Sequence, residues 1–177
     1  MGKRILATVA AATVLLAAAA SPGSARPSGL KARAAQFQLT LLAQINAFRS
    51  SRGLARLRLS PALMAAATAH SSAMARRGFF SHTSSNGTSF SQRIAQYYPA
   101  RGYRRWTVGE NLAWGGPDIG PGTTLRLWLG SPMHRSVLLT PAWREVGLAA
   151  VHSTSAPGVY GGRAATVVTA DFGARSR

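Results

Sequence analysis

The chain predicts an α+β fold, on three observations. Apolar residues recur at helical spacing in its first half, its clearest strand-like runs come last, and no internal repeat breaks that order. Between Gln36 and Arg52 the residues Leu41, Ile45 and Phe48 stand four and three apart and Gly53 supplies a stop, so the segment reads as an amphipathic helix. Ser60-Pro61 offers an N-cap followed by proline at the first helical position, and a second helix runs from there to about Arg77, before Gly78. Its apolar stripe is Leu63, Ala67, His70 and Met74, and seven alanines between positions 62 and 75 imply close packing against a neighbour.

Residues 79–88, rich in Ser, Thr, Asn and Gly, form a loop that carries His82. Ser89 caps a third, short helix to about Tyr98, ended by Pro99; Thr107 to Trp114 is of β type. Gly115 to Gly122, with four glycines and two prolines, is a turn-rich crossover. Thr123 or Thr124 caps a fourth helix through Leu125, Leu127, Trp128 and Leu129, and Ser131-Pro132 restarts a helical segment to about Leu139. After Pro141, residues 146–152 and 164–172 read as two strands joined by a Gly/Pro/Ser-rich hairpin loop.

The N-terminal region has a different character. Lys3 and Arg4 precede an apolar run from Ile5 to Ala20, and Gly23, Ser24 and Ala25 follow, the order of a secretory signal peptide over residues 1–25, with cleavage after Ala25 or, second, after Ala20. The run holds about 16 residues against the roughly 20 of a membrane-spanning helix, so a permanent anchor is the weaker reading. Residues 26–35 read as a basic linker and 36–174 as one domain, too short for two. Cysteine is absent, so no disulfide can staple the fold even where export would allow one, and stability must come from the core. Trp106, Trp114, Trp128 and Trp143 place much of that core in the second half.

Lys and Arg total 21 against four Asp and Glu, a net charge of +17 that falls to +15 once Lys3 and Arg4 leave with the leader. Such a surface is drawn to anionic partners, lipid headgroups or wall polymers, with an attraction that fades as salt rises. The arginines are scattered and not gathered into one block, which fits a solvated basic face better than a nucleic-acid groove; only Arg101, Arg104 and Arg105, beside Tyr103 and Trp106, make a local basic-aromatic patch.

Glu110 stands out as the first acid of a chain that holds only four. It reads equally as a functional carboxylate and as one that neutralises an arginine. Asn111 after it can hydrogen-bond locally. His134 falls in the first turn of the helix that Ser131-Pro132 starts, where the helix dipole disfavours imidazolium and favours the neutral ring that can ligate or accept a proton. Arg135 reads as a brace for Glu145 or a carbonyl. His70, on the apolar stripe, reads as a satisfied core histidine, and His152 as a solvent-facing one. No H-E-x-x-H, G-x-S-x-G or P-loop occurs and no serine is marked as a nucleophile.

Several short motifs in order carry a resemblance to the CAP superfamily (cysteine-rich secretory proteins, antigen 5 and pathogenesis-related 1 proteins; the SCP domain), in its bacterial, cysteine-free branch. They are Asn46-x-x-Arg49, Gly53-Leu54, the alanine-rich second helix, Phe80-Ser81-His82, Gly102-Tyr103, Gly109-Glu110-Asn111, Trp128-x-x-Ser131-Pro132-x-His134-Arg135 and Glu145-Val146-Gly147. The resemblance spans roughly residues 37–173. It implies a three-layer α-β-α sandwich with a central antiparallel sheet, and a cleft in which His82, Glu110 and His134 meet to hold a divalent metal, zinc or a similar ion, with Asn111, Ser131 and Arg135 around it. On spacing alone His82 would be an idle loop histidine; the resemblance reverses that. The superfamily's fuller cleft adds a glutamate three residues after the helix tryptophan. That position is Ser131 here, which implies weak binding, with Asp118 a speculative substitute. The function these features favour is a secreted binding or effector module at the cell envelope or outside the cell, with no enzyme activity marked. The alternatives are a metal-dependent hydrolase in which Glu110 activates water, and a secreted basic protein that binds nucleic acid without sequence preference.

Overall fold

A computed structural model describes residues 29–177; the expected leader, its cleavage sites and residues 26–28 lie outside the described residues. Five helices, α1 (Gly29–Ser50), α2 (Pro61–Arg77), α3 (Phe90–Ala95), α4 (Pro121–Gly130) and α5 (Pro132–Leu138), accompany four strands, β1 (Arg58–Leu59), β2 (Arg105–Gly115), β3 (Glu145–Ala156) and β4 (Arg163–Ser176). The sheet order is β1-β3-β4-β2. The pairs β2–β4 and β3–β4 are antiparallel, as expected. The two-residue β1 pairs parallel to β3, so the sheet is mixed at that edge. Two residues between apolar Leu57 and the Ser60 turn are too short to show strand periodicity, which is why β1 was not expected.

Alternation along the strands separates two cores. One face packs Leu148, Val168, Ala170 and Phe172 against Leu41 and Ile45 of α1, Trp128 of α4 and Leu138 of α5. The other packs Leu112 and Val167 against Met74 of α2, with Leu63, Ala66, Ile94 and Tyr98 beside them. Helices thus cover both faces of one sheet, the three layers that alternating side chains demand when both faces are apolar.

The helical stripes match the predicted ones. Leu41 and Ile45 in α1, and Leu63, Ala67, His70 and Met74 in α2, are all buried. The alanines serve the contact they suggested. At Gly147 of β3 a Cβ would lie 2.0 Å from the carbonyl carbon of Leu63, so α2 rests backbone to backbone on the strand. At the other end of α2, Gly78 adopts φ +71, a left-handed C-cap whose N–H donates to Met74 O at 3.0 Å.

Several boundaries differ from expectation. α1 starts at Gly29, so most of the stretch read as a linker forms its first two turns; alanine, lysine and arginine there are good helix formers without apolar periodicity. α3 ends at Ala95, with a turn continuing to Tyr98. α4 is capped by Gly120 and opened by Pro121, while Thr124 lies buried inside it and donates to Gly120 O. Ser89 makes a complete capping box with Gln92, whereas Ser60 and Ser131 hold N-cap positions without a side-chain cap bond. Trp128 and Trp143 are core residues, but Trp114 is 38% exposed.

The Asn46-x-x-Arg49 pair is structural. Asn46 exchanges hydrogen bonds with the backbone of Leu57 in both directions, at 2.9 and 2.7 Å. Arg49, wholly buried, donates to the carbonyls of Ala55, Leu138 and Thr140, and so ties α1 to the β1 loop and to the end of α5. We predict that Gly147→Ala, which forces a methyl group into the α2 backbone, lowers stability by about 3 kcal/mol in urea unfolding, at the upper end of overpacking costs.

Candidate functional site

Glu110 lies in β2 directly opposite Asp171 of β4, which is itself opposite Gly147 of β3. The three therefore share one face, the face α2 covers. Because Gly147 has no side chain, α2 sits low on the sheet, and His70 of its third turn reaches the carboxylates; Nε2 of His70 is 4.0 Å from Glu110 Oε2. α3 brings Arg93, and the loop after Gly78 brings His82.

The Glu110 side chain is 1% exposed, yet both its oxygens are engaged. His82 Nδ1–H donates to Oε1 at 2.7 Å, and the Arg93 guanidinium donates to Oε2 in a short ion pair. The reading of Glu110 as a carboxylate that neutralises an arginine is thus met by Arg93, and His82 shares the same carboxylate. Arg93 also donates to His82 O at 3.0 Å and to Ser84 Oγ at 3.1 Å, which fixes the loop that presents the histidine.

Asp171 is fully buried, and no N–H or O–H donor reaches either of its oxygens among the described residues. Burial, then the charge of Glu110, push its pKa well above the ordinary carboxylate value, against a lowering from Arg93. A proton on Asp171, which that direction favours, would supply the missing donor toward Glu110. His70 donates from Nε2 to Ser81 O at 2.9 Å and keeps Nδ1 unpartnered; burial above all lowers its pKa, with Arg93 adding to the lowering and Glu110 opposing it. It is a core histidine, but only half satisfied and at the edge of the site.

His134 lies in the first turn of α5 and is partly buried. Its pKa is lowered, as expected, but by burial first and by nearby His82 second. Asn111 is 0% exposed and points away from Glu110, as strand alternation requires; its Nδ2–H donates to His134 O at 3.0 Å. It braces the histidine from behind rather than forming a local turn. Ser131 is partly exposed at the α5 N-cap. Arg135 is exposed, and Glu145, which it was expected to brace, is instead held by Arg58 and the Tyr98 hydroxyl. Asp118 cannot replace the missing glutamate, because it lies elsewhere, paired with His152 Nδ1 at 3.2 Å and accepting from Thr166 at 2.8 Å beside a groove of about 520 Å³.

Among the described residues no three His, Asp or Glu side chains stand together as a ready metal cage. Glu110, closed to solvent and already accepting from His82 and Arg93, is the weaker fit as a direct ligand. Two imidazoles fit better: with Nδ1 tied to Glu110, His82 presents its Nε2 lone pair from a side chain 50% exposed, and His134 is the neighbour whose neutral form is favoured.

Arg93 and Asp171 were not singled out from the sequence. For Asp171 a signal existed, an acid inside the apolar run Thr166 to Phe172 in a chain with only four acids. For Arg93 none did, because only the packing of α3 on β2 aims it at Glu110.

A raised carboxyl pKa favours the folded state below the unfolded value of about 3.8 and withdraws that stability as pH rises toward the folded value. We predict that Asp171→Asn, neutral at every pH and able to donate to Glu110, is more stable than wild type at pH 7 and loses that advantage near pH 4. Thermal melts across that range check the sign.

Similarity to known proteins agrees with the architecture. The model of the cysteine-rich secretory protein family (CAP) matches residues 42–172. An outer surface protein from Borrelia burgdorferi superposes with a TM-score of 0.67 at 22% identity, over 80% of this chain and 94% of that one. An extracellular protein containing an SCP domain from Bacillus anthracis gives 0.64 at 23%, over 88% of this chain and 45% of that one. A cysteine-rich secretory protein from Staphylococcus aureus gives 0.57 at 18%, over 87% and 42%. No curated protein matches. With the family model covering most of the chain and the α-β-α layers in place, the chain belongs to the CAP family.

Proposed function

We propose that this CAP domain is an exported binding module that works at the cell envelope or outside the cell, with a cleft between His82 and His134 that takes a divalent ion weakly. The outer surface and extracellular descriptions of its structural neighbours, together with the leader-like order of residues 1–25, support the location. Among the described residues no helix is long and apolar enough to cross a membrane. The basic exterior supports anionic partners, lipid headgroups or wall polymers.

The observation that carries the cleft reading is the 2.7 Å bond from His82 Nδ1 to a buried, doubly engaged Glu110. A carboxylate behind an imidazole fixes its tautomer and ring angle and leaves Nε2 as the outward lone pair. A divalent ion there would be held by His82 and His134 and would supply Lewis acidity. Two protein ligands with no carboxylate in direct contact support weak, reversible binding. The same burial argues against hydrolysis. The Glu110 side chain is closed to solvent and already paired with His82 and Arg93, which disfavours it as the base for a water on a substrate.

Zinc titration calorimetry tests this. His82→Ala with His134→Ala should abolish the binding seen in wild type, and Glu110→Gln, which removes the anion behind His82, should weaken it about 10- to 100-fold. Wild-type affinity should fall on acidification as imidazole is protonated, with His134 retained as a ligand to lower pH than an ordinary histidine because its pKa is lowered. Equal affinity in wild type and the double-histidine variant would place the metal elsewhere, and metal-dependent peptide cleavage lost in folded Glu110→Gln would replace the module by an enzyme.

A further inference from the structure

We infer that Asn86 is a self-modification site, where the Gly87 nitrogen attacks the Asn86 side-chain amide, ammonia leaves, and water opens the resulting imide to aspartate and isoaspartate. The change falls in the loop that carries His82. It goes beyond the reading of the protein as a binding module and holds with or without an ion in the cleft.

The chain has three asparagines, and only this one is placed to react. Asn46 and Asn111 are buried, within α1 and β2, and are followed by Ala47 and Leu112, whose side chains crowd the attacking nitrogen. Both also commit their side-chain amides to the backbone, Asn46 to Leu57 O and Asn111 to His134 O. Asn86 is exposed. So is Gly87 after it, which has no Cβ to hinder the approach and adopts φ +84.

The turn polarises the carbonyl that is attacked. Thr88 N–H donates to Asn86 Oδ1 at 3.2 Å, so the side chain is folded back on the main chain beside Gly87. A donor therefore already sits on the oxygen where negative charge grows as nitrogen adds to Cγ. Arg77 Nη1 donates to Ser85 Oγ at 2.6 Å and Arg93 Nη1 to Ser84 Oγ at 3.1 Å, so two guanidinium groups stand behind the same turn. Residues 79–89 contain no acid. A cationic setting favours both loss of the Gly87 N–H proton and the anionic addition step. Against this, Gly87 N–H donates to Ser84 O at 2.9 Å, a bond that must open first. It closes a single exposed turn, the kind of segment that opens at the low end of local stability.

The atoms balance with water as the only co-reactant. Solvent base takes the Gly87 N–H proton, the nitrogen bonds to Cγ, and the Cγ–Nδ2 bond breaks as the amine leaves as ammonia. Water then cleaves one of the two imide C–N bonds. Cleavage at Cγ leaves aspartate, and cleavage at the Asn86 main-chain carbonyl leaves isoaspartate, with the chain running through Cγ and longer by a methylene. Either product adds a negative charge near Arg77 and Arg93. Only isoaspartate lengthens the main chain between the bonds that close the loop, Gly87 N–H to Ser84 O and Ser84 N–H to Thr88 O, each 2.9 Å, so that form releases them.

Folded protein held at mildly alkaline pH tests this by charge-variant separation and peptide mapping. Wild type should gain species more acidic by a single charge, with NH exchanged for O at residue 86, while Asn46 and Asn111 stay amides. Asn86→Gln, which would have to close a larger ring, should lose the acidic shift. Arg77→Gln should slow the conversion about threefold, the scale of one screened surface charge, and an undiminished rate there would overturn the arginine's part. In hydrogen exchange the aged protein should lose protection at the Gly87 and Ser84 amides, which Asn86→Asp retains; equal protection in both would overturn the release of the loop. Asn86 left intact in the folded protein under conditions that convert it in the urea-unfolded chain would overturn the inference, because the turn would then protect it. Acid appearing equally at Asn46 or Asn111 would mean opening of the whole chain and would overturn the assignment to this turn.

Discussion

A carboxylate with almost no access to water organises this molecule. Removing Glu110 from solvent without compensation would cost several kcal/mol, and the surroundings of β2 read as the answer to that cost. Arg93 supplies the opposite charge and His82 a second donor, while the Asp171 carboxyl beside it has its pKa raised by burial and by the charge of Glu110. The two donors come from different elements, so α3 and the loop after α2 are both held to β2 through one side chain. The half-exposed imidazole that faces outward is the by-product of that arrangement, oriented by what lies beneath it.

Strand alternation then divides the labour between neighbours in sequence. Glu110 points to the α2 side and Asn111 to the α1 side, where it holds the backbone of His134. One strand thus positions both His82 and His134, the first through its side chain's partner and the second through the chain that carries it. Gly147 completes the geometry: with no Cβ to hold α2 away, the helix settles onto the sheet closely enough for His70 to reach the acids.

A cysteine-free chain that carries so many arginines must manage charge without covalent staples. It does so by using a few arginines inward and the rest outward. Arg49 satisfies three carbonyls at the meeting of α1, the segment before β1 and the end of α5, and Arg93 answers Glu110, while most of the others line the surface.

The sequence alone determined the family and every helix and strand but the two-residue β1. Apolar spacing in α1 and α2, the capping box of α3, the proline starts of α2 and α5 and the β-type runs of β2, β3 and β4 are local, written within one or two turns or strand lengths, and the ordered motifs Phe80-Ser81-His82, Gly109-Glu110-Asn111 and Ser131-Pro132-x-His134-Arg135 are local as well. The contact between His82 and Glu110 was legible only through the resemblance. Tertiary structure alone decided that Glu110 faces Arg93 and Asp171 instead of an open third ligand position, that Asn111 braces while Asp118 lies elsewhere, and that Glu145 is held by Arg58 and Tyr98. The reason is that periodicity assigns a residue to a face, whereas what it meets there depends on register and on helix height above the sheet, which no short segment contains.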